Sequence, residues 1–380
     1  MRSLFRTGLV VLVAFALTGA ACSDDSSSTT TPGSGDSSGG GGTCSSDLTV
    51  GLALDVGGLG DNGFNDLAKA ALDKAVADGV ICEENTKLIE SNSEGTNLDE
   101  NVQSLADAEY DLIVGTGFAF TADGKINEIA PDYPDINFAI VDGYATACGE
   151  APADCGLVNP ASAIPNVVDL NFTEEQGSFL VGVAGALKAQ ELKCDNLGFL
   201  GGQTGFLIGK FEAGFRAGVA EIDPNMTVQV KYIGDTTQAF YNATAGEALS
   251  NKMYDDGACI IYHAAGDSGN GLFKAAAAGD KLTIGVDADQ YLTVTPDQAP
   301  FILTSMIKRV DTAVYDTIQD AADGTFDGGK VQVFDLESEG ISYSTSNTKE
   351  MTQDIIDQVE TYKQQILDGD IVPPTDPTKV

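Results

Sequence analysis

Short apolar segments alternate with amphipathic segments along most of this chain, and the whole alternation occurs twice. The apolar runs are typical of buried strands, and the segments between them carry apolar residues at helical spacing. Continuous apolar strands joined by helices indicate a parallel sheet that is covered on both faces. The sequence therefore predicts an α/β protein of two lobes, each lobe a parallel sheet flanked by helices.

The predicted strands divide the chain into two lobes. A chain of 380 residues is also long enough to divide into two domains. We predict that residues 47–145 and 289–330 form lobe I, and that residues 146–288 and 331–380 form lobe II. The strands are expected at Leu48–Val56, Thr86–Glu90, Leu112–Gly115 and Asn137–Val141, then at Val167–Phe172, Asn196–Leu200, Thr227–Gly234, Cys259–His263 and Leu282–Val286.

The N-terminus is typical of an exported protein. Residues 1–21 begin with basic residues and continue with an apolar stretch too short to span a bilayer, which is the pattern of a signal peptide. Small residues lead into Cys22, and this arrangement resembles a bacterial lipobox, although Gly19 stands where leucine is usual. Ordinary cleavage, with Cys22 as a bystander, is the alternative. If Cys22 is lipidated, residues 22–46 comprise the lipidated cysteine and a flexible Ser/Gly/Thr linker.

Six further cysteines fit an exported chain with disulfides. The pairing of Cys148 with Cys155 closes a short loop and is the one that the spacing favours most. Two other pairings join cysteines that precede strands of the same lobe: Cys44 with Cys82, and Cys194 with Cys259. A metal site is the less favoured alternative, since the chain has one histidine and no CxxC motif.

The charge limits the partners. Twenty basic and 57 acidic side chains give a net charge of −37, which would repel phosphate backbones and anionic membrane surfaces. We therefore expect no nucleic-acid partner and no membrane contact beyond an N-terminal lipid. No cofactor is expected either.

Small and polar residues follow the predicted strands. Ligands of open parallel sheets lie beyond the carboxyl ends of the strands, where small residues allow a close approach and polar ones supply hydrogen bonds. Each such residue alone is equally typical of a turn, but the same character recurs at seven strand ends. The candidate ligand contacts selected in this way are Asp55, Gly117, Asp142, Gly266, Asn270 and Asp287.

The sequence does not indicate an enzyme. His263 is the only imidazole, and the segment around Ser268 lacks the last glycine of a nucleophile elbow. The run Gly58–Gly63 matches GxGxxG, but Asp55 and Asp61 would face the pyrophosphate that such a loop binds. We therefore interpret the chain as a binding protein.

A set of motifs in order resembles one family. They are DVGGLGDNGFND (residues 55–66), DLIVGTGFAF (111–120), FAIVDG (138–143), EEQGSFLVGVAGAL (174–187), GFLGG…KFEAGF (198–215), HAAGDSGNG (263–271), GVDADQ (285–290) and LTSMIKRVD (303–311). Together they resemble the basic membrane protein family of bacterial substrate-binding lipoproteins for ABC transporters. This resemblance implies a two-lobed type I periplasmic-binding-protein fold, and it implies that a purine nucleoside binds between the two lobes.

The resemblance also implies which aromatic residues hold the base. An aromatic residue in the first motif stacks on the base, and here that position is Phe64. The second aromatic face comes from the other lobe, and we match it to Phe240. Tyr241 or Phe206 could take that role instead, because the chain appears about four residues longer at this point.

The polar contacts follow from the same resemblance. Asp287 and Lys308 would hold the ribose hydroxyls, and Asp55 with Asn65 would serve the edge of the base. A carboxylate is suited to a pair of sugar hydroxyls on chemical grounds as well.

The expected function is that of an extracytoplasmic substrate-binding lipoprotein, anchored to a bacterial membrane at the periplasm or cell surface. It would act as a monomer that captures a nucleoside and delivers it to an ABC-transporter permease. Two alternatives from other classes are an exported nucleoside-processing enzyme and a surface sensory lipoprotein.

Overall fold

The computed structural model describes residues 44–121, 125–145 and 164–380. The first run of elements is β1 (Val50–Ala53), α1 (Phe64–Ala77), β2 (Thr86–Ile89), α2 (Leu98–Asp107), β3 (Leu112–Thr116), α3 (Lys125–Ile129) and β4 (Asn137–Val141). The predicted signal peptide, Cys22, the linker up to residue 43 and the pair Cys148–Cys155 lie outside the described residues.

The second run repeats the alternation. It comprises β5 (Val167–Phe172), α4 (Glu174–Leu192), β6 (Asn196–Gln203), α5 (Phe206–Ile222), β7 (Thr227–Gly234), α6 (Ala243–Asp255), β8 (Ile260–Ala264), α7 (Gly269–Gly279), β9 (Leu282–Asp287), α8 (Gln290–Thr293), β10 (Ile302–Lys308), α9 (Val310–Ala322), β11 (Lys330–Phe334), β12 (Ile341–Tyr343) and α10 (Gln353–Leu367). No helix among these is both long enough and apolar enough to cross a membrane.

The strands form two six-stranded sheets within one compact unit, Gly42–Val380. The sheet of lobe I has the order β11-β5-β4-β3-β1-β2, and the sheet of lobe II has the order β12-β10-β9-β8-β6-β7. All strand pairs are parallel except β12 with β10. Strands β1, β3 and β8 are buried along their whole length, as expected for a parallel sheet with helices on both faces. The predicted fold class is confirmed.

The division between lobes differs from the predicted one. Strand β5 pairs with β4 and β11 in lobe I, although it was assigned to lobe II. Strand β10 pairs with β9 in lobe II, although residues 289–330 were assigned to lobe I. The residues of β11 after 330 also lie in lobe I. An apolar strand can pair with either sheet, and it pairs with the one whose edge strand is still unpaired. Which edge strand is unpaired depends on distant parts of the chain, so the local sequence does not predict it.

The chain consequently crosses between the lobes three times. The crossings follow β5, β10 and β11, at residues 173, 309 and 335–340. Helix α9 packs on α1 in lobe I, and helix α10 packs on α4 in lobe II. The residues next to the first two crossings, Glu174 and Lys308, are therefore placed between the lobes.

Helices α4 and α5 approach each other closely beside the first crossing. A Cβ atom at Gly214 would overlap the backbone of Glu175, and one at Gly218 would overlap the backbone of Phe179. These glycines therefore allow the two helix backbones to touch. This contact brings Lys210 of α5 against the first turn of α4.

Each described disulfide lies within one lobe. Cys44 bonds to Cys82 at the N-terminal ends of β1 and β2, and Cys194 bonds to Cys259 at those of β6 and β8. Both are the pairings expected from the strand order. Neither restrains one lobe against the other.

Loss of the bond in lobe II should destabilise the protein. We expect Cys194→Ser with Cys259→Ser to lower the free energy of unfolding by about 2–4 kcal/mol, because the bond closes a segment of 65 residues. Urea unfolding followed by circular dichroism measures this difference. Under reducing conditions the wild type and the variant should coincide, and a difference that persists there would contradict a disulfide effect.

Candidate functional site

A cavity lies where the carboxyl ends of the two sheets face each other. Nine of the ten predicted ligand contacts line it: Asp55, Phe64, Asn65, Gly117, Asp142, Phe240, Gly266, Asp287 and Lys308. The tenth, Asn270, does not line the cavity. Its side chain instead hydrogen-bonds to Asn62, Gly60 and Asp267.

The first motif folds into a tight turn around buried carboxyl groups. The Asp61 carboxylate accepts hydrogen bonds from the backbone amides of Gly63 (3.0 Å) and Asn65 (2.8 Å), and so satisfies free amides at the start of α1. The Asn65 side chain accepts the Asp55 amide at 3.0 Å and donates to Asp61 at 3.1 Å. This network holds the Asp55 carboxyl at the cavity wall, while Phe64 lines the cavity beside it.

Gly117 is required by a close approach to the same carboxyl. Its φ is +125°, and a Cβ atom there would overlap the Asp55 side chain. Glycine is the residue that adopts such a conformation without cost and leaves room for a neighbouring group.

Lys308 is the cation at the centre of the site. Its side chain is 1% exposed, and its ammonium group lies 2.7 Å from both carboxylate oxygens of Asp142 and 3.0 Å from Glu174. It also lies 4.9 Å from the ring centre of Phe172 and 5.2 Å from that of Phe64. Because Lys308 ends β10 and Asp142 follows β4, this ion pair joins the two lobes.

A second lysine extends the charge network away from the cavity. Lys210 donates to the Phe172 carbonyl at 2.6 Å, pairs with Glu174 and lies 3.4 Å from Glu175. Burial opposes ionisation of Glu174, but its ion pairs with Lys210 and Lys308 hold its pKa below the usual value. Glu174 therefore stays ionised between two ammonium groups.

The other carboxyl groups at the cavity hold their protons more strongly. Burial raises the pKa of both Asp55 and Asp287 to about 7, and neighbouring carboxyl groups contribute in the same direction. Burial also raises the pKa of Asp61 and Asp142 to about 6, the latter against the pull of Lys308. Four aspartate carboxyl groups thus line the cavity together with the Lys308 ammonium group.

Two of these aspartates have left-handed backbones. Asp142, which directly follows β4, has φ +58°, and Asp287, the last residue of β9, has φ +65°. The left-handed region costs roughly 1–2 kcal/mol for residues other than glycine, although aspartate tolerates it better than most. Such conformations concentrate at functional sites.

Aromatic rings from both lobes line the cavity. Phe64 comes from lobe I and Phe240 from lobe II, and Phe118 of lobe I meets Phe240 edge to face with ring centres 6.3 Å apart. Of the two alternatives to Phe240, Tyr241 is 50% exposed and Phe206 contacts Tyr144. Neither of them lines the cavity.

Sequence reasoning missed Asp61, Phe118 and an apolar wall from α5. Phe118 belongs to a motif that the resemblance already included, but no signal in it distinguishes a cavity residue from a core residue. The wall residues are Leu207, Ile208 and Phe211 of α5. Their helical spacing is equally typical of residues that pack in a hydrophobic core, so it does not indicate a cavity.

The groups that line the cavity determine which contacts it offers to a small molecule. His263 is fully buried, forms a hydrogen bond with the Gln290 side chain and does not line the cavity. Among the described residues, no group of three or more His, Cys, Asp or Glu side chains could hold a metal ion. The lining offers aromatic faces, carboxyl groups and one ammonium group, which are contacts for an uncharged ring that carries hydroxyl groups.

Comparison with known proteins agrees with this geometry. The family described as PnrA-like ABC transporter substrate-binding proteins matches residues 48–376. The chain is 35% identical to the CD4+ T-cell-stimulating antigen of Listeria monocytogenes, over 88% of this chain and 90% of that one. It is 28% identical to the ABC transporter nucleoside-binding protein BmpA of Lactococcus lactis, over 87% of this chain and 90% of that one.

A solved structure shares the architecture. A solute-binding protein of an ABC transporter system from Aeropyrum pernix superposes with a TM-score of 0.69 at 25% identity. The match covers 87% of this chain and 94% of that one.

The buried Asp55 carboxyl should make stability depend on pH. Its pKa is about 7 in the fold and 3.8 when it is exposed, so between these values the unfolded chain binds fewer protons and stability falls as pH rises. Asp55→Asn keeps the acceptor for the Val56 amide and removes the ionisation. We therefore expect the variant to exceed the wild type by about 2–4 kcal/mol at pH 8 and by little near pH 4.

Urea unfolding at pH 4, 6 and 8 measures this difference. Asp297→Asn, at an exposed position, is the matched control and should follow the wild type at every pH. A constant offset between Asp55→Asn and the wild type would contradict the raised pKa.

Proposed function

The chain belongs to the family of PnrA-like ABC transporter substrate-binding proteins, and from that premise we propose that it captures a purine nucleoside between its lobes. The observation that carries the proposal is the arrangement of aromatic faces from opposite lobes around one cavity that also contains Asp287 and Lys308. A relative named as a nucleoside-binding protein supports the same ligand class.

The base would lie between Phe64 and Phe240. Both rings line the cavity, and they come from different lobes, so both faces of a base are covered only when the lobes are closed. Phe118 also lines the cavity and meets Phe240 edge to face, which adds a third aromatic ring to the site. Asp55 and Asn65 would contact the polar edge of the base.

The ribose would lie against Asp287 and Lys308. A carboxyl group can accept hydrogen bonds from two neighbouring hydroxyls, and an ammonium group can donate to one of them. Lys308 already pairs with Asp142 and Glu174, so its charge is neutralised before any ligand arrives. The lining carboxyl groups would repel a phosphate, which favours a nucleoside over a nucleotide.

We propose capture and delivery without a chemical step. The alternative of an exported nucleoside-processing enzyme needs groups that activate water, and the only histidine is held in the core away from the cavity. The alternative of a sensory lipoprotein predicts no saturable binding of a small molecule.

The location proposed for the protein is the outer face of a bacterial membrane. Lipidation of Cys22 and the linker that follows would tether a monomer there, close to the permease that receives the ligand. The family membership supports an ABC-transporter permease as the partner.

Calorimetric titration with inosine tests the ligand class. We expect saturable binding at one site, and chromatography of the mixture should return inosine intact. Free hypoxanthine after incubation would instead indicate the hydrolase alternative. An absence of binding to inosine, adenosine and guanosine would contradict a nucleoside ligand.

Two substitutions should separate the base from the sugar. Phe64→Ala should weaken both inosine and hypoxanthine by about 1–3 kcal/mol, because it removes one stacking face. Asp287→Ala should weaken inosine much more than hypoxanthine. Asp287→Asn, which tolerates the left-handed backbone, controls for strain, and binding of Phe64→Ala at wild-type strength would refute this site.

The anchor can be tested without the ligand. In a bacterial host that processes lipoproteins, Cys22→Ser should move the protein from the membrane fraction to the soluble exported fraction. Cys44→Ser is the matched control and should stay with the membrane, since Cys44 is bonded to Cys82. Membrane retention of Cys22→Ser would contradict lipidation.

A further inference from the structure

A separate group of hydrogen bonds joins the two lobes outside the cavity. The rim loop of lobe I, residues 57–63, presents the Asn62 carbonyl to lobe II. That carbonyl accepts from the Gln290 side chain at 3.3 Å and from the Thr293 hydroxyl at 3.2 Å. The Asn62 side-chain nitrogen donates to the Asn270 side-chain oxygen at 3.0 Å, and the Asn270 side-chain nitrogen donates to the Gly60 carbonyl at 3.3 Å. None of these residues lines the cavity.

The rim loop is held rigid within lobe I. The Asp66 carboxylate accepts the backbone amides of Gly60 and Asn62, each at 2.9 Å. Asn62 has φ +58°, a conformation that asparagine tolerates better than most residues. The Gly60 and Asn62 carbonyls are therefore positioned before lobe II meets them.

Gln290 is oriented from inside lobe II. Its side-chain oxygen accepts the Val286 amide at 2.8 Å and faces His263 Nε2 at 3.0 Å. Burial lowers the pKa of His263 to about 4, so the ring is neutral, and Nε2 must carry the hydrogen because the oxygen can only accept. With its oxygen held by two donors, the Gln290 amide nitrogen points towards Asn62.

We propose that Asn270, Gln290 and Thr293 form an interlobe clasp that stabilises the closed form without touching the ligand, and that His263 is a positioning residue for Gln290. The clasp acts on the closed form of the binding protein proposed above, and so rests on that function. A contact that stabilises the closed form equally for every ligand changes retention, whereas contacts inside the cavity change selectivity.

Dissociation kinetics of two probes test the clasp. We expect Asn270→Ala and Thr293→Val each to raise the dissociation rates of inosine and hypoxanthine by the same factor, about two- to tenfold. Thr293 is exposed and Asn270 is partly exposed, so neither substitution should unfold the protein. The matched controls are Thr295→Val and Asn225→Ala, at exposed positions, and they should leave both rates unchanged.

The ratio between the probes decides the role of Asn270. A much larger effect on inosine than on hypoxanthine would show that Asn270 contacts the ribose, and would overturn the clasp. Unchanged rates in a protein that binds inosine would also overturn it. If the wild type binds neither probe, the nucleoside proposal fails instead.

A measurement without ligand keeps the clasp testable in that case. Spin labels at Asp73→Cys in lobe I and Lys252→Cys in lobe II, both exposed, report the distance between the lobes. Asn270→Ala should raise the fraction of unliganded protein with the longer distance. The same distance distribution with and without this substitution would overturn the clasp.

Double substitution tests the part of His263. His263→Phe should raise the fraction of unliganded protein with the longer interlobe distance when Gln290 is present, but it should add nothing in a Gln290→Met background, where there is no amide to orient. The spin-label distances and, where inosine binds, its dissociation rate report this. A purely structural histidine would show the same added effect in both backgrounds, which would overturn its positioning role.

Discussion

The buried Lys308 ammonium group is the interaction on which the site depends. A buried ammonium group is strongly unfavourable unless it is paired with an anion. Here it pairs with Asp142, which follows β4, and with Glu174, the first residue of α4. Asp142 belongs to lobe I and Lys308 ends a strand of lobe II, so the ion pair forms where the lobes meet. Removing Asp142 would leave Lys308 to share Glu174 with Lys210, and removing Glu174 would leave Lys308 paired with Asp142 alone.

The network extends through Glu174 to the helices of lobe II. Glu174 lies between the ammonium groups of Lys308 and Lys210, and Lys210 reaches it because glycines let α4 and α5 touch. A charge at the cavity is thus connected to a backbone contact that a single added methyl group would disrupt. The small residues of the EEQGSFLVGVAGAL and KFEAGF motifs serve this packing, and the charged residues of the same motifs serve the pairing.

Local sequence predicted β1 to β9 and most of the residues that line the cavity, because hydrophobic period and strand ends are local properties, but it did not predict β10, β11 or β12. It did not predict that β5 joins lobe I and β10 joins lobe II, since pairing is decided by the open edge of a distant sheet. It also placed Asn270 with the cavity residues. A polar residue after a strand looks the same whether its amide faces a ligand or the opposite lobe, and only the position of Asn62 separates the two cases.

Burial of carboxyl groups at the cavity is energetically unfavourable, and a ligand that donates hydrogen bonds from hydroxyl or amine groups would offset part of that free energy. Asp55 and Asp287 have raised pKa values because burial disfavours their charged forms, and Asp287 also has a left-handed backbone. Hydrogen bonds donated to a buried carboxylate favour its ionised form, so a donor-rich ligand would lower these pKa values as it binds. An anionic ligand would instead raise them further. For the ligand proposed above, the charge of the site would select for neutral donor-rich molecules and the aromatic rings for a flat ring. These two criteria together would favour a nucleoside over a nucleotide or a simple sugar.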